Sequence, residues 1–283
     1  MSVTADDHDM RTPLLVIRPP SRWAPLHLGD VWEFRDLMYR FVRRDLTLRY
    51  RQTALGVIWV IAQPLLAAGA FSFVFGKVAK LPSQGVPYFA FAYAGMLAWN
   101  AFSSTLTKVS GSLVGNQALI SKIFFPRLVL PLSTLGSTLV DFAVALGMMA
   151  VILAVVGVAP GWAVVLLPVW LVLALLLATG VGLAAAALMV SYRDVAYMLP
   201  VATQLLLYAS PIAYAVSSVP SSLRFAVDIN PLAGVLEGFR WSLLDTTAPS
   251  RVAVMLSIVT SVVVFVAGAT VFTRMERKFA DVI

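Results

Sequence analysis

RRDLTLRYRQTALGVIWVIAQPLLAAGAFSFVFG, running from Arg43 to Gly76, is the stretch that decides the fold. Four arginines (Arg43, Arg44, Arg49 and Arg51) crowd its beginning, and after Arg51 no charged residue occurs before Lys77. As a helix, about 20 such residues cover the roughly 30 Å of hydrocarbon in a bilayer. The rest of the chain agrees with this stretch. Of its 283 residues 60% are hydrophobic and only 12% charged, with a mean hydropathy of +0.87. A soluble domain carries roughly twice that charge density, and one of this length has no place for so much apolar surface except against lipid. The expected fold class is an all-α membrane protein.

The run around Arg43–Gly76 is the first of six apolar spans, at 55–76, 88–106, 128–157, 162–190, 198–216 and 252–273. The third and fourth exceed what a bilayer needs, so they tilt, kink or protrude, with Pro168 and the pair Gly180 and Gly182 as places for the fourth to bend. Orientation follows from the cations. With the N-terminus inside, 16 Lys and Arg fall on cytoplasmic pieces and 5 on outer ones. That bias is strongest beside the first span and places both termini in the cytoplasm. No signal-type apolar core precedes residue 55, so insertion by the spans themselves, without cleavage, is expected. The net charge of +7 fits cytoplasmic loops and anionic headgroups; membrane lipids, and no nucleic acid, are the partners it implies.

Four pieces do not cross. Residues 1–27 are polar and proline-bearing, a flexible cytoplasmic arm. Within the segment 28–52, residues 30–51 read as an amphipathic helix, with Asp30 as cap and Glu33 as its capping-box partner. Val31, Phe34, Met38, Phe41 and Val42 share a stripe, while Arg35, Arg40, Arg43, Arg44, Arg49 and Arg51 interleave, which suits a helix at the cytoplasmic interface with its stripe in the acyl boundary. The loop from Lys108 to Arg127 contains a short surface helix that stops before Pro126. The outer segment around 230–241 carries a short helix capped by Asn230, with Pro231 in its first turn, dipping inward without crossing. On that helix Glu237 and Arg240 stand three apart and can pair.

The chain contains no cysteine, which excludes disulfides and thiolate metal sites, and both histidines, His8 and His27, precede the first span. No phosphate-binding loop, metalloprotease helix or nucleophile elbow occurs, so no catalytic or metal-binding residue is expected, and any ATPase must be a separate chain. Asp141 is the one ionisable residue deep inside a span, about 20 Å beyond Leu128 along the helix. The other spans offer it no charged partner at that depth, which favours contact with Ser and Thr neighbours over proton coupling. Gln63-Pro64 and Ser210-Pro211 free backbone carbonyls and mark either helix breaks beside a substrate path or ordinary kinks. Trp99, Asn100, Asp141 and Tyr208 join Gln63 and Pro64 as path candidates. Tyr88, Phe89, Phe91, Tyr93, Tyr208 and Tyr214 read as an outer interfacial belt.

Several strings in fixed order carry a resemblance: Arg43 to Trp59, Gln63-Pro64, Asn116 to Arg127, Ser191 to Asp194, Asn230-Pro231, Glu237, Arg240, and Glu276 to Asp281. Together, from about residue 28 to 283, they resemble the ABC-2-type polysaccharide export permeases, the transmembrane subunits of O-antigen, teichoic acid and galactan exporters. The resemblance implies a homodimer of six-helix subunits, residues 53–283 forming the membrane domain. Two separate ATP-binding subunits would hold the ATP and Mg, with no cofactor in this chain. The implied cargo is a polyprenyl-diphosphate-linked glycan, exported across a bacterial cytoplasmic membrane. By resemblance 28–52 is the interface helix. Asn116, Gln117, Leu119, Ile120, Ser121, Lys122 and Phe124 form the segment that seats in the ATPase, with Tyr192, Arg193 and Asp194 at a second turn nearby. Asn230, Pro231, Glu237 and Arg240 belong to the outer gate. On that assignment Ile120→Asp or Phe124→Asp uncouples ATP hydrolysis from export without unfolding the membrane part. Alternatives stay open: an ABC-2 permease for a drug or small lipid, a proton-coupled secondary transporter, or a membrane enzyme acting on polyprenyl phosphates. The enzyme requires clustered ligands at one face, and the secondary transporter requires embedded ionisable residues.

Overall fold

The computed structural model describes residues 28–51, 56–122, 125–220, 222, 225, 227 and 229–282. The expected arm 1–27, with His8 and His27, the junction 52–55 and Phe124 lie outside the described residues. Every regular element among the described residues is helical. In order these are α1 (Leu28–Glu33), α2 (Arg35–Arg51), α3 (Gly56–Phe71) with a π-helical continuation Ser72–Val78, α4 (Tyr88–Gly111), the single turn α5 (Gln117–Ile120) and α6 (Val129–Val156). A 3-10 turn at Trp162–Leu166 then leads into α7 (Leu167–Ser191), followed by α8 (Val195–Ala209), α9 (Pro231–Leu244) and α10 (Arg251–Val282).

Among the described residues four helical stretches are long and apolar enough to cross a membrane: Ile58–Val78, Val129–Val156, Trp162–Ser191 and Arg251–Glu276. This is a multi-pass membrane protein. The expected second and fifth spans differ from these four for separate reasons. α4 has 24 residues, about 36 Å at 1.5 Å per residue, which is ample length. It is the centre of the bundle, packed by α3, α6, α7 and α9, with 16 of its 24 residues buried. Protein surrounds it where the other helices meet lipid, so its sequence has no need to be uniformly apolar. Ala90, Ala92, Ala94, Gly95, Ala98 and Ala101 keep it thin enough for close neighbours. The fifth run yields a helix of only 15 residues, which starts earlier than expected and stops at Ala209. Pro211 disfavours helical geometry at Ser210, which is extended at φ −92°, ψ 146°.

The long runs use their excess length differently. α7 runs unbroken from Leu167 to Ser191 with Pro168 in its first turn. Gly180 faces the backbone of Phe265 on α10, and Gly182 faces Val109 on α4; both are sites of close helix approach. α6 has 28 residues, and α2 packs along its first half. There Val42 seats on Gly136, where an added Cβ would lie 2.6 Å from Val42 Cγ2.

The expected interface helix is two pieces. α1 begins at Leu28, so Asp30 lies inside it instead of capping it, and a turn at Phe34 separates it from α2. Its apolar stripe is not immersed in lipid. Val31 and Phe41 are buried in a cluster with Val109, Leu113, Leu183 and Phe272, and Phe34, Leu37 and Met38 pack against that cluster. Phe41 and Phe125 meet ring to ring at 5.9 Å. A stripe of this kind pairs equally well with protein or acyl chain, and here the chain's own core provides the partner. The opposite side leaves Trp32 and Tyr39 exposed, with the Arg35 guanidinium 5.9 Å above the Trp32 ring.

Candidate functional site

Three places gather the chemistry, two toward the arginine-rich end of the bundle and one at the far end. The first is a cavity of about 790 Å³ between α4 and α8. Trp99, Ser103, Thr107 and Ser110 stand on one face of α4 at helical spacing and form one wall; Leu199, Pro200, Thr203, Gln204 and Leu207 form the other. Thr107 and Ser110 donate their hydroxyls to carbonyls within α4 at 2.8 and 3.0 Å, and Thr203 donates to Leu199 O at 2.8 Å. With those protons engaged, the oxygens face the cavity as acceptors. Gln204 Nε2 donates to Tyr208 Oη at 3.2 Å. Among the described residues no carboxylate lines the cavity, and the one charged residue that does is Arg193, at the end where Val114, Gly115 and Gln117 also line it. The turn before α5 and the turn before α8, far apart in sequence, therefore meet at one mouth.

Lining the second place, a cavity of about 60 Å³, are Gln63, Pro64, Asn100, Ser104, Thr138 and Asp141. Beside it Asp141 Oδ2 accepts from Arg49 Nη1 at 2.5 Å and from Lys108 Nζ at 2.9 Å. Lys108 Nζ also donates to Ser137 Oγ at 3.0 Å. The expectation that Asp141 has only Ser and Thr for company is corrected: two cations hold it. The reason is reach. Lys108 lies inside α4, not in a loop, and long side chains near helix ends extend well along the bundle. α2 meanwhile brings Arg49 alongside α6.

At the far end α9 carries the third. Asn230 caps it as expected, its Oδ1 accepting from Leu232 N at 3.0 Å, while Asn230 Nδ2 donates to Ser210 Oγ at 2.9 Å. α9 is buried rather than merely dipping: Gly238 sits against the Trp170 ring, Trp170 Nε1 donates to Ser242 Oγ at 3.1 Å, and Ser257 donates to Pro231 O at 2.6 Å. Arg240 is 2% exposed. It donates to the carbonyls of Pro211 at 2.8 Å, Tyr214 at 3.3 Å, Phe91 at 3.4 Å and also Ile212, with the Phe91 ring centroid 3.8 Å from its Cζ. These carbonyl bonds add to the electrostatic interaction with Glu237 that the three-residue spacing predicts; Glu237 itself is half-buried. Gly95 leaves room for the arrangement, since a Cβ there would lie 2.7 Å from Arg240 Nη2.

The expected path residues therefore divide. Trp99 lines the large cavity and Tyr208 hangs at its edge, 66% exposed, whereas Gln63, Pro64, Asn100 and Asp141 share the small one. The expected aromatic belt divides too: Phe91 and Tyr93 are fully buried, and Tyr93 donates to Ala145 O at 3.0 Å. Of the expected coupling residues, Gln117, Ser121, Lys122, Tyr192, Arg193 and Asp194 are exposed, Asn116 and Leu119 half-buried, and Ile120 is buried at 7%. On α2, Arg40, Arg43 and Arg49 are exposed, and Arg44 pairs with Asp45 at 2.8 Å. Sequence reasoning missed Lys108, Ser103, Thr107, Ser110, Thr203 and Gln204. The hydroxyl ladder was readable, since 103, 107 and 110 fall on one helical face.

Residues 37–244 match the family described as ABC-2 type transporter. The chain is 28% identical over 252 residues to an O-antigen export system permease protein RfbA of Klebsiella pneumoniae, covering 88% of this chain and 95% of that protein. It is 27% identical to an O-antigen export system permease protein RfbA of Myxococcus xanthus, over 89% and 97% of the two chains. To the polysialic acid transport protein KpsM of Escherichia coli it is 23% identical, over 84% and 93%.

Proposed function

We propose that this chain, which belongs to the ABC-2 type transporter family, is the membrane-spanning permease subunit of an exporter for a lipid-linked polysaccharide. In this reading it works as a homodimer of six-span subunits in a bacterial cytoplasmic membrane, with both termini inside. Two separate ATP-binding subunits carry ATP and Mg, so the chain itself is not an enzyme. The similar proteins bear names of O-antigen export and polysialic acid transport, which supports a glycan as cargo.

The observation that carries the reading is the cavity between α4 and α8. Its walls offer hydroxyl acceptors, which suit the O–H donors of a sugar chain, beside apolar Leu199, Leu207 and Met189, which suit a lipid tail. Arg193 at its mouth is the group for a diphosphate. The same mouth is bordered by Gln117 and Arg193, so the segments proposed to seat in the ATPase sit where cargo would enter. A homodimer is supported by α8 itself: none of its residues is buried, and Tyr197, Met198, Val201 and Leu205 are open, an apolar face that a second copy covers. Trp32, Tyr39 and the arginines of α1 and α2 suit contact with anionic headgroups.

Co-purification with the ATP-binding subunit encoded beside it, followed by ATPase measurements in lipid nanodiscs, tests the proposal. A polyprenyl-diphosphate-linked glycan is expected to stimulate hydrolysis and to appear on the far side of proteoliposomes. Stimulation by a small amphiphilic drug and none by any such glycan would overturn it in favour of a small-molecule exporter.

A further inference from the structure

We propose that Asp141 is a positioning residue for transport: its carboxylate ties the stem of the α5 turn to α2, so that the two move as one body. This inference rests on the reading of the chain as a permease driven from its arginine-rich end.

The argument starts from one oxygen. Asp141 Oδ2 receives Arg49 Nη1 at 2.5 Å and Lys108 Nζ at 2.9 Å, so helices α2, α4 and α6 converge on a single atom. The carboxylate side chain is 11% exposed, Lys108 22% and Arg49 40%. Water competes least at the Lys108 arm of the contact, and charge-assisted bonds are strong where they are shielded. Lys108 is held in place by Ser137, whose own hydroxyl donates to Thr134 O at 2.9 Å. That leaves the ammonium little freedom to swing away.

The three helices differ in what they lead to. From Lys108, α4 continues to Gly111 and passes through the Val114–Asn116 turn into α5; Val114 is about 9 Å farther along the chain at helical rise. A push on α5 therefore reaches Lys108 through a short, rigid stem. Arg49 lies near the end of α2, just before the chain enters α3, whose Gln63 and Pro64 line the small cavity beside Asp141. Val42 pressed onto Gly136 gives α2 a second hold on α6 more than a turn away, so α2 cannot slide along α6 without breaking one contact or the other. Neutralising Asp141 removes the anion that both cations share and leaves two positive charges near each other without it, which weakens the hold of α2 on α4.

The chain has no cysteine, so Thr47→Cys on α2 and Ala118→Cys on α5, both at exposed positions, give a clean spin-labelled pair. In the complex with its ATP-binding subunits we expect one narrow inter-label distance with and without ATP. Asp141→Asn is expected to broaden that distribution and to lower glycan exported per ATP hydrolysed about tenfold. Asp141→Glu, which keeps the charge, is expected to restore both. Arg49→Met and Lys108→Met reproduce the defect, and Asp141→Asn/Lys108→Met is no worse than Asp141→Asn alone, since members of one contact are not additive. That double variant keeps only one of the two cations and carries the test if Asp141→Asn does not fold. An unchanged, narrow distance and a wild-type export ratio in Asp141→Asn would overturn the proposal. If wild-type protein exports no glycan, the cargo reading fails, while the distance measurement still decides the clamp.

Discussion

Arg240 joins two costs that cancel. A guanidinium removed from water costs several kcal/mol unless its protons are met, and each backbone carbonyl left unpaired in a buried, unwound segment costs about 1–3 kcal/mol. The early end of α8 creates such carbonyls at Pro211, Ile212 and Tyr214, and Arg240 answers all three together with Phe91. Arg240→Met is therefore expected to lower stability by about 3 kcal/mol or more, since at least three acceptors lose their donor. Arg240→Lys falls between, because an ammonium lacks the planar fork that spans several carbonyls. Thermal unfolding of the detergent-purified protein, followed by tryptophan fluorescence, reads both; a Tm for Arg240→Met equal to wild type would refute the account. At this scale the sequence marks the residues that matter and reveals only part of what holds them. Arg240 stands out as a charge on an apolar helix, but helical spacing offers it only Glu237, because nothing local reveals that the chain after Ser210 doubles back beneath it. Asp141 stands out likewise, and its partners are hidden for the converse reason. Position along a helix counts Cα atoms, and the charges of Lys108 and Arg49 lie a full side chain away from theirs.

Among the elements, boundaries set by local chemistry are legible and contacts are not. Asn230-Pro231 announces the start of α9, since capping acts within one or two residues, whereas Pro211, which the apolar run to 216 passes over, marks where α8 has ended. The stripe Val31–Phe34–Met38–Phe41 announces a buried face without naming what buries it, as acyl chains and the cluster around Val109 and Phe272 are equally apolar. The segment proposed to seat in the ATPase has the same ambiguity one turn at a time. Ile120 points into that cluster at 7% exposure, whereas Gln117, Ser121 and Lys122 face outward. Ile120→Asp thus places a carboxylate in a core and is expected to destabilise the membrane part itself, by about 3 kcal/mol or more. Lys122→Glu is expected to leave Tm unchanged and to weaken association with the ATP-binding subunit, through lost or reversed charge at the contact. Measuring Tm and co-purification yield for both variants separates the two: a stable Ile120→Asp, or a Lys122→Glu that binds its ATPase as wild type does, would relocate the docking surface.

For the whole molecule, hydropathy sees a helix only where it meets lipid, and that sets the limit of what the sequence reveals. The four stretches apolar enough to cross by composition lie around the bundle, with between 11% and 44% of their most apolar windows covered by the protein. α4 lies inside it and is coated by its neighbours, so its alanines, serines and threonines answer to packing and to the cavity rather than to acyl chains. Its role as a crossing therefore has to be argued from length and flanks. Its 24 residues reach about 36 Å, and its two flanks differ in kind. The preceding loop, with Lys80, is short and follows the π-helical end of α3; at the other end Lys108 stands in the last turn of α4 and the loop beyond carries Lys122 and Arg127, on the side where the arginines of α1 and α2 also lie. If α4 crosses, Lys80 and Ser121 stand on opposite sides of the membrane; if it is only a buried helix, they share one. Both positions are exposed, and the native chain has no cysteine to confuse the labelling. Lys80→Cys is expected to react with a membrane-impermeant maleimide in intact cells, with the outer envelope permeabilised where there is one, and Ser121→Cys only once the cytoplasmic membrane is opened. Reaction of both from the same side would remove α4 from the count. It would also detach the proposed entry mouth at Gln117 and Arg193 from the cytoplasmic face on which an ATP-binding subunit has to work.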